Sequence, residues 1–308
     1  MVQENRLSKI LVVCGPTASG KTSLAIDLAL RYNGEVISAD SVYIYKDLNV
    51  GSAKPDSDEM RGVRHHMIDV IEAADEFSVS DYESQALPIV YDIISRGKLP
   101  VICGGTGFYV NSLLYKMSYG NAKGNESLRN EYKSKAEREG NMSLWEELNA
   151  IDPVTAKKLH YNDTVRVIRA LEIYYSTGVK KSDVKDELVL RFDPFVIRTD
   201  IDRAELYERI DTRVDEMIKN GLIDEVKRLI DKGITLENQC MQGIGYKETY
   251  SALINGEPIP TEIIKQNSRR YAKRQITFFK RMNAYDFNPA ERENYPELYR
   301  NIDEFLKN

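Results

Sequence analysis

"KILVVCGPTASGKT", residues 9–22, joins an apolar run to a glycine-rich loop. The apolar half reads as a buried strand, and the half from Gly15 to Thr22 fits the pattern G-x-x-x-x-G-K-[ST]. "KTSLAIDLALRY" then carries apolar residues at helical spacing, so the loop joins a strand to a helix N-terminus. In that setting the loop Gly15, Pro16, Thr17, Ala18, Ser19 and Gly20 wraps phosphate oxygens, its glycines letting the backbone N–H groups converge on them, with Pro16 contributing none. Lys21 adds a mobile positive charge, and the Thr22 hydroxyl can hold Mg²⁺. The alternative is a glycine-rich turn that holds nothing.

Outward from this loop, "GEVISAD" and "LPVICGG" read as further strands, the latter preceded by the helix-like "DYESQALPIVYDIISRG". Strands joined through helices imply a parallel sheet covered on both faces. From about Ser118 the pattern changes to helices alone: "ESLRNEYKSKAEREG", "SLWEELNAI", "PVTAKKL" and "DTVRVIRALEIYYSTG". "DPFVIRTDI" returns to a strand, followed by the long helix "RAELYERIDTRVDEMIKNG" and further helices to the end. The expected architecture is an α/β, P-loop NTPase-like parallel sheet with an all-helical insertion domain and a helical C-terminal region. Residues 1–117 begin the core, 118–190 form the insertion, and 191–308 complete the core.

The 308 residues are 42% hydrophobic and 30% charged, the balance of a soluble globular chain with a sizeable core. No apolar run approaches the ~20 residues needed to span a bilayer, and "MVQENRLSK" lacks the apolar core of a secretory signal, so a cytoplasmic location is expected. Cys14, Cys103 and Cys240 are widely separated and match neither a disulfide framework nor a zinc spacing. The net charge of −5 conceals one deviation. Residues 261–285 hold Lys265, Arg269, Arg270, Lys273, Arg274, Lys280 and Arg281 against Glu262 alone, a local balance of +6. This region is suited to a polyanion; the alternative is a solvated basic helix with its aromatic residues in the core.

A nucleoside triphosphatase needs an acidic residue after a buried strand to hold its metal, yet "LPVICGG" ends in glycines followed by Thr106. The carboxylate stands instead at Asp40, after the second strand. Ligands in such sheets collect at the carboxyl ends of the strands, so Lys21, Asp40 and Thr106 can face one crevice. Asp40 there can serve as base for an acceptor; a turn or helix N-cap role is the alternative. "HHMID" groups His65, His66 and Asp69 without a further ligand at metal spacing and is read as structural, and the lone Trp145 as core of the insertion.

In order along the chain, "GPTASGKT", "DSVYIYKDLNVGSAKP", "HHMIDV", "FSVSDY", "GGTGFYV", "HYNDTVRVIRALEI", "IGYKE" and "YAKRQITFFKR" resemble the motifs of bacterial tRNA dimethylallyltransferases, also called tRNA isopentenyltransferases. The resemblance implies transfer of a dimethylallyl group from dimethylallyl diphosphate to the exocyclic amine of the adenine immediately 3′ of the anticodon, with release of diphosphate and a requirement for Mg²⁺. It implies that residues 15–22 surround the diphosphate, that Thr106 and Arg213 complete the clamp, and that Asp40 takes the amine proton. By the same resemblance Asp40, Ser41, Val42 and Tyr43 lie against the target nucleotide. Contacts to the anticodon stem-loop are implied for Val165, Arg166, Val167, Ile168 and Arg169, for Gln242, Gly243, Ile244, Gly245, Tyr246 and Lys247, and for Lys273, Arg274, Gln275, Ile276, Thr277, Phe278, Phe279 and Lys280. Tyr161 and Phe278 replace a proline and a tryptophan usual in the family. No membrane and no obligate protein partner is implied. A nucleotide isopentenyltransferase acting on AMP, ADP or ATP would share the chemistry but not the RNA surface; a small-molecule P-loop kinase would share only the first 110 or so residues. A non-catalytic RNA-binding protein would use the basic stretch but neither Asp40 nor Thr106.

Overall fold

The computed structural model describes residues 7–119, 124–184 and 188–308; the N-terminal stretch read above as lacking a signal, and two pieces of the expected insertion, fall partly outside the described residues. The chain divides into two compact units, Met1–Tyr115 with Leu190–Asn308, and Lys116–Val189.

The larger unit is built on six parallel strands: β1 (Lys9–Cys14), β2 (Gly34–Ser38), β3 (His65–His66), β4 (Leu99–Gly104), β5 (Asp193–Thr199) and β6 (Tyr285–Phe287), in the order β3-β2-β4-β1-β5-β6. Along β1 the two-residue period of a strand sends Ile10, Val12 and Cys14 into one apolar cluster and Leu11 and Val13 into another. Both faces are therefore buried, as parallel sheets require. The helices α1 (Lys21–Arg31), α2 (Val79–Ser95) and α3 (Gly107–Leu114) follow strands or their loops. Ser78 and Asp81 of "FSVSDY" form a reciprocal capping box that starts α2.

In the smaller unit α4 (Glu126–Glu139), α5 (Asn141–Ile151), α6 (Pro153–Ala156) and α7 (Thr164–Thr177) close around Leu144, Leu148, Val167 and Leu171. The indole N–H of Trp145 donates to the carbonyls of Ala156 and Leu159, each at 3.0 Å. Glu172, fully buried, is held by Arg129 and Arg169. Asp163 caps the start of α7, and Gly178 ends it in the left-handed conformation at φ 73°.

After β5 come α8 (Arg203–Lys219), α9 (Leu222–Asp231), α10 (Tyr246–Asn255), α11 (Thr261–Phe279) and α12 (Tyr295–Lys307). Among the described residues no helix is long and apolar enough to cross a membrane. Two strands escaped the sequence reading. β3 has two residues and β6 three, too few to show a period, and both lie at sheet edges where one neighbour suffices. "HHMID" accordingly serves the edge: His66 bonds Glu35 at 2.8 Å, and Asp69 pairs with Lys54 at 2.6 Å.

Candidate active site

The loop between β1 and α1 is shaped from its two sides. From β5, the Thr199 hydroxyl lies 2.6 Å from Ser19 Oγ, and a Cβ on Gly15 would fall 2.0 Å from it, so only glycine allows β5 this close. From α11, Gln275 Oε1 accepts the Thr17 N–H at 2.9 Å while its Nε2 donates to the Gly105 carbonyl at 3.0 Å. This buried amide ties the loop to the end of β4. Ala18 and Gly20 adopt left-handed backbone conformations, and α1 begins at Lys21 with no side-chain cap. Uncapped N–H groups at a helix start attract anions. Burial lowers the pKa of Lys21, whose Nζ donates to the Pro16 carbonyl at 3.1 Å. The Ser19 side chain is fully buried, with its hydroxyl on Pro16 and Thr199, which leaves only its backbone N–H to serve a ligand.

The end of β2 presents the acidic side. Asp40 Oδ1 accepts the Val42 N–H at 2.9 Å, so the turn role weighed from sequence is real and occupies one carboxylate oxygen. Thr106 Oγ1 accepts the Ser41 N–H at 3.0 Å and lies 3.2 Å from Ser41 Oγ. Its hydroxyl thus braces the Asp40 turn from behind, and Thr106 is not among the residues lining the crevice described next.

A crevice of about 410 Å³ is lined by Thr17 and Lys21 of the loop, by Asp40, Ser41, Val42 and Tyr43, and by Arg213 from α8. Gln242, Gly243 and Ile244 line it ahead of α10, and Tyr271, Arg274 and Gln275 from α11. Arg213 donates to the Ser52 carbonyl at 2.7 Å, while its buried Nε has no hydrogen-bond partner. An unmatched guanidinium N–H beside a crevice is suited to an anion. Arg209, one turn earlier, pairs with Glu205 at 2.6 Å. Burial, with Asp40 nearby, raises the Tyr271 phenol to about 12, and burial raises the thiols of Cys14 and Cys103 likewise to about 12, so all three stay protonated at neutral pH. A smaller cavity of about 20 Å³ adjoins the loop, lined by Lys21, Thr22, Ser38, Asp40 and His65 among others. Among the described residues no group of three or more His, Cys, Asp or Glu could hold a metal.

The remaining sequence-derived residues separate by exposure. On α11, Lys273, Arg274 and Thr277 are exposed, as is Lys280 just after its end, Ile276 packs towards α8, and Phe279 is fully buried. Phe278 stands edge-on to the exposed Phe108 at 5.5 Å. The basic stretch is less open than its count suggests, because Lys265 pairs with Asp215 and Arg269 with Asp211, both from α8. Gly245 opens α10 at φ 93°, Lys247 is exposed, and Tyr246 is buried with its hydroxyl 2.6 Å from Glu225. In the smaller unit Val165 and Arg166 are exposed, Arg166 pairing with Asp163, whereas Val167 and Ile168 are buried and Arg169 bonds Glu172. The sequence reading missed Thr199, Gln275's structural role and Glu225. Glu225 had one signal, a carboxylate at helical spacing among Leu222, Val226 and Leu229.

A family profile described as IPP transferase matches residues 43–282. The chain is 46% identical over 310 aligned positions to a tRNA dimethylallyltransferase of Caldanaerobacter subterraneus subsp. tengcongensis, covering 97% of each. It resembles the structure of a tRNA isopentenylpyrophosphate transferase from Bacillus halodurans at 38% identity, with a TM-score of 0.73 and 97% of each chain covered. It also resembles a eukaryotic dimethylallyltransferase acting on tRNA at 30% identity and a TM-score of 0.83, covering 97% of this chain and 80% of that one. With its phosphate loop, its Asp40 turn and its Arg213 gathered on one crevice, and with this likeness extending over nearly its whole length, the chain belongs to the IPP transferase family of tRNA dimethylallyltransferases.

Proposed function

We propose that the chain transfers a dimethylallyl group from dimethylallyl diphosphate to the exocyclic N6 of the adenine immediately 3′ of the anticodon in tRNA, and releases diphosphate. The observation that carries this reading is one crevice lined both by cations fit for a diphosphate, Lys21 and Arg213, and by a carboxylate fit to take a proton, Asp40. An allylic C–O bond breaks as negative charge builds on the departing oxygen, and fixed cations and backbone N–H groups stabilise that charge. The bond electrons leave with the diphosphate, the adenine nitrogen supplies the pair for the new N–C bond, and Asp40 takes the proton from the nitrogen. A carboxylate suffices as base because the nitrogen becomes strongly acidic as it is alkylated. The adenine must leave its stack to reach the crevice, as bases that undergo chemistry in nucleic acids do.

Mg²⁺ suits the hydroxyl oxygen of Thr22, which lines the smaller cavity beside Lys21. When bound it would neutralise charge on the diphosphate. Thr22 would hold it, and the uncapped N-terminus of α1 would bind the phosphate oxygens beside it. Lys273, Arg274 and Lys280 would contact RNA phosphates.

The test is incubation with Mg²⁺, labelled dimethylallyl diphosphate and unmodified tRNA, with AMP and with labelled ATP in parallel. Label on the anticodon-loop adenine is expected. Label on AMP instead would favour the nucleotide isopentenyltransferase, and consumption of the ATP γ-phosphate a kinase.

A further inference from the structure

Glu225 lies outside the crevice, yet its surroundings are those of a bound anion. Its carboxylate is buried on the inner side of α9. Oε2 accepts the N–H groups of Asn49 and Val50, each at 2.9 Å. Oε1 accepts the Gly51 N–H at 3.0 Å and the Tyr246 hydroxyl at 2.6 Å. Three consecutive amides converging on one charge form an anion cradle, and here the protein supplies the anion itself. The packing leaves no slack, since a Cβ on Gly51 would fall 2.6 Å from the Tyr246 ring and 2.7 Å from Leu222.

The next residue connects this cradle to the crevice. Ser52 turns its carbonyl to Arg213 Nη2 at 2.7 Å, and Gly51, Ser52 and Arg213 all line the crevice. Arg213 is thus held at Nη2 by Ser52, with the Tyr43 hydroxyl also against its guanidinium, while its buried Nε remains unmatched.

We infer that Glu225 is a positioning residue for diphosphate binding: it pins residues 49–51, which sets the Ser52 carbonyl and through it the direction of the Arg213 guanidinium. The inference rests on the donor reading proposed above. Without the carboxylate the N–H groups of Asn49, Val50 and Gly51, the last of them buried, lose their acceptor, the loop relaxes, and the Ser52 carbonyl no longer fixes Arg213 Nη2. Tyr246, in a segment expected to touch RNA, has its ring and hydroxyl turned inward, onto Glu225 and Ser52.

The test is a double-mutant cycle on affinity for inorganic diphosphate and for dimethylallyl diphosphate, with Mg²⁺ present. Glu225→Gln keeps the size but places an NH₂ among donors; Tyr246→Phe removes one hydroxyl and leaves the packing. We expect the first to weaken both ligands about ten-fold and the second about two- to five-fold, with tRNA affinity nearly unchanged. KM for the donor should rise more than turnover at saturating donor falls. In an Arg213→Ala background each effect should shrink to less than about two-fold, because the residue they act through is gone. Equal weakening in both backgrounds, or no weakening in either, overturns the inference. Should Glu225→Gln fail to fold, the cycle of Glu225→Asp with Arg213→Ala decides it. A wild-type protein that binds neither ligand overturns the donor reading and this inference with it, whereas normal wild-type binding with an uncoupled cycle overturns this inference alone.

Discussion

The loop of residues 15–22 and the loop of residues 49–51 both gather backbone N–H groups, but only the second is filled by the protein's own charge. Glu225 and the Tyr246 hydroxyl close it. In the first, Thr17 N–H is, among the described residues, the only backbone donor of the loop taken by a side chain, and Gln275 takes it with a neutral amide. A neutral acceptor shapes the loop without cancelling the positive end of α1 or the charge of Lys21. Converging amides make a site only where the chain withholds the anion. The same contrast runs along α11, where Asp215 and Asp211 close Lys265 and Arg269 while Lys273 stays exposed and Arg274 stays exposed at the crevice rim beside Tyr271.

The largest effect is expected where the open loop faces its acceptor. Asp40→Asn keeps an oxygen for the Val42 N–H, so the turn should survive while the base is lost. Single-turnover transfer should fall on the order of 10²–10⁴ with tRNA affinity almost unchanged, and wild-type turnover would remove Asp40 from proton transfer.

Next in size are the open cations of α11. Neutralising Lys273 and Arg274 together should flatten the dependence of log affinity for tRNA on log salt by roughly one to two units. The measurement is tRNA binding across a salt series, with transfer by bound complexes preserved. An unchanged slope would place the RNA elsewhere.

A pH effect should follow from Lys21. Its protonated form binds the anion, and burial lowers its pKa, so its contribution is present at low pH and lost as pH rises through the lowered value. Diphosphate affinity should therefore weaken below the ordinary lysine range near 10.4, and Lys21→Met should abolish that limb of the titration. A limb persisting in the variant would assign it to another group.

A smaller, few-fold loss of donor affinity is expected for Gln275→Leu, which leaves Thr17 N–H and the Gly105 carbonyl without their partner. Urea unfolding should register about 1–3 kcal/mol for those two groups. Unaltered donor binding would mean that the loop holds its shape without the clamp.

The smallest effect belongs to the closed cations. Lys265→Gln with Arg269→Gln should change the salt slope for tRNA by well under half a unit, because ion-paired side chains have little charge left to displace counterions. A slope change equal to that of Lys273 and Arg274 would erase the distinction between closed and open charges.

Much of this was legible along the chain. Residues 9–22 specified strand, loop and helix, because the strand period, the glycine requirement and the helix start are local properties. The four longer strands and the all-helical stretch were legible for the same reason, and the ordered motifs identified the family. Which charged and polar groups are already spent is set by packing in three dimensions. Gln275 and Phe279 sit among exposed cations in sequence, yet a helix of 3.6 residues per turn turns them inward. Thr106 follows the glycines of β4, but the close approach of β4 to Ala39 sends its hydroxyl to Ser41. Asp211 and Asp215 lie fifty or more residues from the cations they neutralise, and Glu225 more than 170 from the amides it holds. Hydrogen bonds and ion pairs act over about 3–4 Å in space, whatever the separation along the chain, so a charge's partner is set by packing and not by its neighbours in sequence.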